Sequence, residues 1–375
     1  MLRPFLTGAL TGAAFGMLLY KVGATRYSRV MGMLTLRDTK VMKFAFTAIG
    51  VASILYGLAA ALGLAEAWGL APRVMPWLGS AHLLGGVLFG AGLGISGLCP
   101  GTCVAKAGGQ GGDRKFATPA AMVGLVVGVL VYGAAKDWLL ASGVIAANQK
   151  PLTVFGELGL PYAAAALAWG AIFVLIALFA DRFTPEKAYE PARPRHGLVD
   201  ALRGEWSWVA SGTVGGVLVV LATAQGGYLG FSGALLAATG WAAQAVGHPL
   251  ELVPRINEDI VWRAALIVGV WPGAWLASRF SLPSKAAVAD PAPKVLDPVA
   301  IGRSFGAATM MAAGALIGGG CTTGAFIAAW PTMSLGSLAM AVTFFLTSMA
   351  VANGRRLAHT LDVGAAQAVG DRAYD

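Results

Sequence analysis

Nine apolar stretches run along the chain, at 5–20, 42–64, 79–98, 119–139, 161–180, 207–223, 262–280, 303–320 and 334–353. Each is read as a helix that crosses the roughly 30 Å of hydrocarbon. That much apolar length cannot be hidden in a water-soluble core. Only 12% of the 375 residues are charged, where soluble domains carry about a quarter. A mean hydropathy of +0.69 and 52 glycines agree, because small residues let helix backbones approach closely in lipid. The expected fold class is an all-α polytopic membrane protein, multi-pass in the cell's inner (cytoplasmic) membrane. The first stretch continues into Tyr20-Lys21 without a small-residue cleavage site, and is read as a retained span, not a signal peptide.

A tenth stretch, 229–246, is rich in Gly and Ala but holds Ser232, Thr239 and Gln244. Basic residues decide its fate. With nine spans and the N-terminus outside, 21 of the 27 Lys and Arg fall in inside loops. Only Arg3, Arg73, Lys136, Lys150, Arg255 and Arg263 lie outside. A tenth span would move seven inside residues out and bring in only Arg255 and Arg263. The positive-inside rule therefore selects nine spans and a cytoplasmic C-terminus, with 229–246 re-entrant or interfacial. The same loops explain the net charge of +9 without nucleic acid as a partner.

The order of features occurs twice. Gly8, Gly12 and Gly16 mark the first span, and Gly212, Gly215 and Gly216 the sixth. Each is followed by a polar or Gly-containing connection, a span, a Gly-rich span ending in cysteine, and a closing span. The expected organisation is a first repeat over 1–139, a linker span and cytoplasmic loop over 140–205, a second repeat over 206–353, and a cytoplasmic tail over 354–375. One extra span between the halves inverts them in the membrane. Inverted repeats with broken helices at matching places are a signature of transporters.

The breaks are where the cysteines stand. One Gly-rich run, Gly92 to Gly97, leads to Cys99-Pro100-Gly101-Thr102-Cys103; the other, Gly314 to Gly320, leads to Cys321-Thr322-Thr323-Gly324. Glycine costs about 1 kcal/mol against Ala inside a helix, so such runs point to interruption. Pro100 suits the first position of a new helix, where its missing N–H is no loss. Both thiols are thus expected at the start of a short helix, where free N–H groups favour an anion. A thiol is soft and a weak donor, suited to a polarisable sulfur atom. An isolated buried cysteine is ordinarily a small hydrophobe; two matched motifs argue against that for the pair. The candidate solute-binding residues are Cys99, Cys321, Gly97, Gly101, Gly320, Thr322, Thr323 and Gly324, with Cys103 secondary. No His or acidic residue lies near these cysteines in sequence, so neither a metal nor a cofactor is expected.

A cysteine closing a Gly-rich span once in each half resembles the YeeE/YedE family of sulfur-compound transporters, and Gly-Gly-Cys-Thr-Thr-Gly is the most specific local match. The resemblance implies a transporter, not an enzyme, that passes a small sulfur-containing anion, thiosulfate first among them, between cysteine thiols by S–H···S contacts. On this sequence the role falls to Cys99 and Cys321. It leaves room for a cytoplasmic sulfur-carrier or sulfurtransferase partner. The family's thiosulfate carriers have another cysteine after the first span, where this chain reads Lys21-Val-Gly23-Ala-Thr-Arg26-Tyr-Ser; Cys103 has no counterpart in that pattern. Two alternatives stay open: transport of another sulfur or selenium species, and a membrane-bound persulfide relay using Cys99 and Cys103.

Elsewhere the readings are structural. Lys21, Arg26 and Arg29 are taken as inside anchors, and Leu36-Arg37-Asp38 as a cap on the loop before the second span. His82 and His248 are placed at interfaces, as are Trp68, Trp77, Trp138, Trp206, Trp208 and Trp262.

Overall fold

The computed structural model describes residues 1–109, 117–184, 197–281 and 298–372. Its elements are helices α1 (Leu2–Val22), α2 (Tyr27–Leu34), α3 (Lys40–Ala61), α4 (Ala81–Ser96), α5 (Pro100–Gly109), α6 (Ala117–Ala141) and α7 (Val154–Glu157). Then come α8 (Tyr162–Phe183), α9 (Gly197–Arg203), α10 (Trp208–Ala224), α11 (Phe231–Ala245), α12 (Glu258–Phe280), α13 (Pro298–Ile317) and α14 (Leu335–Arg372). Between α13 and α14 lie a π-helical turn, Thr322–Ile327, and a short 3₁₀ turn, Trp330–Thr332. Among the described residues the β pairing is confined to an isolated Thr153–Ser334 bridge. The protein is an all-α polytopic membrane protein, as its hydropathy requires.

Among the described residues, eight helical segments are long and apolar enough to cross a bilayer. The expected span at 207–223 is α10, whose 17 residues measure about 26 Å at about 1.5 Å per residue, short of a full hydrocarbon core. The stretch 229–246 is α11, shorter still. Its first residue, Phe231, is fully buried against Phe15, well along α1, while Trp241 near its end meets Phe5 at the start of α1. It therefore climbs from the interior back to the end where α1 begins, as a re-entrant segment would. At the other terminus α14 continues as helix past the apolar stretch to Arg372.

Packing neighbours come in matched pairs. Helix α1 lies along α12, and α10 along α3; α4 lies along α14, and α13 along α6; α4 and α13 cross each other. Helix α5 rests on α12 and α6, and the π turn on α3 and α14. Helix α2 touches α3, α4 and α14, as α11 touches α12, α13 and α6. Helix α8 packs along α3.

Glycine sets the spacing of these pairs. On α1, Gly8, Gly12 and Gly16 lie so close to α12 that a Cβ would collide with the carbonyls of Trp262, Leu266 and Val270. At the central crossing, a Cβ on Gly85 would meet the backbone of Gly314 and Gly318. Part of the Gly-rich pattern therefore serves close packing, which in lipid replaces the hydrophobic effect between helices.

Two tryptophans expected at the membrane interface are instead buried. Trp208 Nε1 donates to Asp181 Oδ1 at 3.2 Å and Trp262 Nε1 to Gln225 Oε1 at 3.1 Å. The indole N–H found a polar partner inside the protein, and the ring followed it.

Candidate functional site

Helix α4 stops at Gly97, whose φ of 64° is left-handed, a conformation that suits glycine. A Cβ at Gly97 would also strike the Tyr27 ring at 2.7 Å. The chain turns and α5 starts at Pro100, the position its proline predicts. Cys99 is therefore the N-cap, its carbonyl accepting the Cys103 N–H at 2.8 Å. Three residues on, Thr102 Oγ1 reaches back and accepts the Cys99 N–H at 2.6 Å, the reciprocal half of a capping box. The Thr102 proton has two acceptors in reach, Cys99 O at 2.9 Å and Cys99 Sγ at 3.3 Å. One hydroxyl thus fixes both the backbone and the thiol.

The second break is built with different parts. Gly319, at φ 87°, reverses the chain after α13 beneath Met75 and Leu78. Cys321 is extended, at φ −97° and ψ −174°, and caps the π turn: its carbonyl accepts the Ala325 N–H at 2.7 Å. Cys321 is fully buried. His82 supports the run before it. Its Nε2 accepts the Leu78 N–H at 2.9 Å, so Nδ1 carries the proton and donates to Gly318 O, also at 2.9 Å. The residue read as interfacial is fully buried, a strut between α4 and the second cysteine motif.

The two motifs meet at one cavity of about 70 Å³. Cys99, Thr102, Thr322 and Thr323 line it. Thr322 and Thr323 bring the second motif to the wall that Cys99 shares, while Cys321 itself is buried in the core and is not among the lining residues. The remaining wall is apolar, including Phe15, Met33, Met42 and Phe326. The connection after α1, which has no cysteine, reaches the cavity through Ala24. Among the described residues none of the lining side chains is charged. Gly97 packs against the Tyr27 ring and Gly101 against the Phe231 ring, Gly320 lies under Ala325 and Gly324 beside Arg73, and none of the four is among the lining residues. Cys103 is buried within α5 and is not among the lining residues. All three cysteines are free.

Such a chamber favours a solute with a polarisable, weakly hydrated face. A strongly hydrated oxyanion entering it would exchange water for apolar walls at high cost, whereas a sulfur atom meets thiol and hydroxyl donors.

The basic residues after α1 are engaged in ion pairs. Glu205 receives Arg26 at 2.9 Å, Arg29 at 2.7 Å and Lys40 at 2.6 Å, and Arg29 also pairs with Asp38 at 2.6 Å. Burial pushes the Glu205 carboxyl up, but Lys40, Arg26 and Arg29 together outweigh it and hold the group below the usual carboxylate range. Asp38 does cap its loop, accepting the Lys40 N–H at 3.1 Å.

Thr102, Glu205 and Arg73 were not singled out by the sequence. Thr102 left a signal, a hydroxyl three residues after an N-cap. Arg73 left none. Its Nη2 donates at 2.6 Å to Gly319 O, 246 residues away.

The chain is similar over nearly its whole length to a characterised protein, the Thiosulfate transporter TsuA of Spirochaeta thermophila. The two are 25% identical over 363 residues, which cover 92% of this chain and 97% of that one. Residues 27–350, which include both cysteine motifs, match the family described as Sulphur transport. With two helix breaks, a thiol at each and a match across most of its length, the chain belongs to the Sulphur transport (YeeE/YedE) family.

Proposed function

We propose that this protein transports a small sulfur-containing anion, most specifically thiosulfate, and that the solute passes between the thiols of Cys99 and Cys321. One observation carries the reading. Cys99, capping one helix break, stands at an uncharged cavity lined by threonines from both halves of the chain, and Cys321, capping the other break, is buried directly before the lining residue Thr322. The anion's sulfur end would accept S–H and O–H contacts there, while the apolar wall keeps it weakly held and free to leave. TsuA, a thiosulfate transporter by name, supports the cargo. In this reading Gly97, Gly101, Gly320 and Gly324 shape the path, Thr322 and Thr323 line it, and a cytoplasmic sulfur carrier takes the product. Cys321 directly precedes two lining threonines, whereas Cys103 lies one turn inside α5, and this favours the Cys99–Cys321 pair over a Cys99–Cys103 relay.

The matched packing of α1 to α6 with α10 to α14 supports two repeats, inverted in the inner membrane, with α10 the ninth and shortest span. The N-terminus and the loop before α4 are then outside, and α2, the 181–205 connection and the C-terminus inside. Reporter fusions after Arg356 and within 181–205 should both read as cytoplasmic; an outside signal from either overturns the arrangement.

The transport reading is tested by growth of a sulfate-uptake-deficient host on single sulfur sources, followed by labelled thiosulfate uptake corrected for inserted protein. Cys99→Ala, Cys321→Ala and Cys321→Ser should each lower uptake at least tenfold. Near-normal uptake by all three variants sinks the thiol mechanism, and growth on a different sulfur or selenium source alone would reassign the cargo.

A further inference from the structure

We propose that Arg73 is an anion-docking residue beside the second break, receiving the oxygen end of a small sulfur oxyanion before the thiols engage its sulfur end. This rests on the transport reading above and adds a residue with its own role.

Arg73 lies in the connection between α3 and α4, on the face assigned above to the outside. Its carbonyl is tied down by Thr332 Oγ1 at 2.9 Å, and its side chain reaches in toward the Cys321 motif. There Nη2 donates to Gly319 O at 2.6 Å, while Nη1 is buried and has no acceptor in the protein. That nitrogen lies against Gly324, three residues after Cys321; a Cβ there would stand 2.6 Å from it. The guanidinium carbon lies over the Tyr228 ring, 4.3 Å from its centroid. Arg263 covers the same ring at 4.7 Å, and its Nη1 donates to the Tyr228 hydroxyl at 3.2 Å. Asp259 neutralises Arg263 through Nε at 2.8 Å. Among the described residues no carboxylate pairs with Arg73.

Two guanidinium groups on one tyrosine with a single carboxylate between them leave a net positive charge at this spot. An ionised group with a buried, unfilled N–H forfeits a hydrogen bond of the stronger kind. The guanidinium fork matches the paired oxygens of a sulfonyl or similar oxyanion better than any other side chain does. The missing acceptor and the excess charge call for the same ligand. Gly324 leaves the space that Nη1 occupies. A charge that holds the oxygens beside Gly324 leaves the less hydrated sulfur end to be offered toward the thiols.

A purely structural Arg73, stapling Gly319, is the competing account. Thiosulfate uptake by Arg73→Gln, Arg73→Lys and Gly324→Ala, corrected for inserted protein, separates the two. Docking predicts a KM for thiosulfate raised about tenfold or more in Arg73→Gln, with a maximal rate within about twofold of the parent. Arg73→Lys should fall between, and Gly324→Ala should raise KM in the same direction. Thermal stabilisation of the detergent-solubilised protein by thiosulfate and by sulfate is the second readout, and Arg73→Gln should abolish it for both. An unchanged KM in Arg73→Gln and Arg73→Lys, or equal stabilisation of parent and Arg73→Gln by the anions, overturns the proposal. Cys99→Ala, run alongside, should lower the maximal rate and keep anion stabilisation. Loss of uptake in the cysteine variants with a normal Arg73→Gln therefore removes the docking role and leaves the transport reading standing. Anion stabilisation that depends on Arg73, in a protein that takes up no thiosulfate, does the reverse.

Discussion

Two groups of basic side chains, one around Glu205 and one around Tyr228, are wired in different ways. On the face assigned to the inside, Arg26, Arg29 and Lys40 converge on Glu205, Arg29 also reaches Asp38, and Lys43 meets Asp181 at 2.6 Å. Arg29 is fully buried in that lattice. On the opposite face Arg73 and Arg263 share one tyrosine, and while Arg29 Nε and Arg73 Nη1 are both buried without an acceptor, Arg29 has two carboxylates on its other nitrogens and Arg73 has none among the described residues. The number of cations does not separate a site from a clamp. What separates them is whether the protein has already supplied the anion. Inside, Glu205 occupies the position an anion would take, and it fastens the segment before α10 over the α1–α2 turn. Around Arg73 no such carboxylate is supplied among the described residues, which is the basis of the proposed docking role.

The largest effect expected is at the clamp. Glu205→Gln leaves Arg26, Arg29 and Lys40 crowded without their shared carboxylate, and breaking a buried pair in this way costs about 3–5 kcal/mol. Inserted yield and melting temperature should both fall well below the parent's. The pH dependence has a fixed sign. Glu205 has a lowered folded pKa, so its stabilisation is complete above the ordinary glutamate value of about 4.3. It is lost only as pH falls further, through the folded value. Parent and Glu205→Gln should thus differ most near neutral pH and converge in acid. Identical melting at pH 7 would show that the lattice is decorative, and the contrast between the two faces would go with it.

A smaller effect is expected at Thr102, which belongs to neither face and holds the thiol between them. Thr102→Val keeps the shape but removes the acceptor for the Cys99 N–H, at about 1–3 kcal/mol for a buried donor left unpaired. The start of α5 would loosen and the Cys99 thiol lose its hydroxyl neighbour. Uptake should drop about tenfold, and Thr102→Ser should restore most of it. Equal uptake by the Val and Ser variants would mean that Cys99 is positioned by packing alone.

Which features could be read from the chain follows from their range. Hydropathy is local, so the span expected at 161–180 is found as α8, Tyr162–Phe183. Proline chemistry is local too, so Pro100 announced the start of α5. Gly-rich runs are ambiguous, because close packing at Gly85 and chain reversal at Gly97 or Gly319 draw on the same residue. Long-range polar ties are silent in any window. His82 meets Gly318 across 236 residues, and Arg29 meets Glu205 across 176. The misplacement of His82, Trp208 and Trp262 has that cause: each was judged by its distance from a span end, while its position was decided by a partner elsewhere in the fold.

The smallest effect is expected at Cys103, and it sharpens the comparison by supplying its neutral point. Cys103 shares α5 with Pro100, Gly101 and Thr102, one turn beyond Cys99. Its backbone N–H supports the Cys99 carbonyl, a bond that any side chain retains. Its thiol is 1% exposed and packed among apolar neighbours, not at the cavity wall. Cys103→Ala should therefore cost only the void left by one sulfur atom, about 1 kcal/mol, with thiosulfate uptake within about twofold of the parent. Cys103→Ser, which buries a hydroxyl in place of the sulfur, should melt lower than Cys103→Ala and still transport. The ordering matters more than either value. If Cys103→Ala abolished uptake while Cys99→Ala were silent, the sulfur chemistry would belong to the inner end of α5. The solute would then pass along the clamped face, and the unfilled guanidinium opposite would need another explanation.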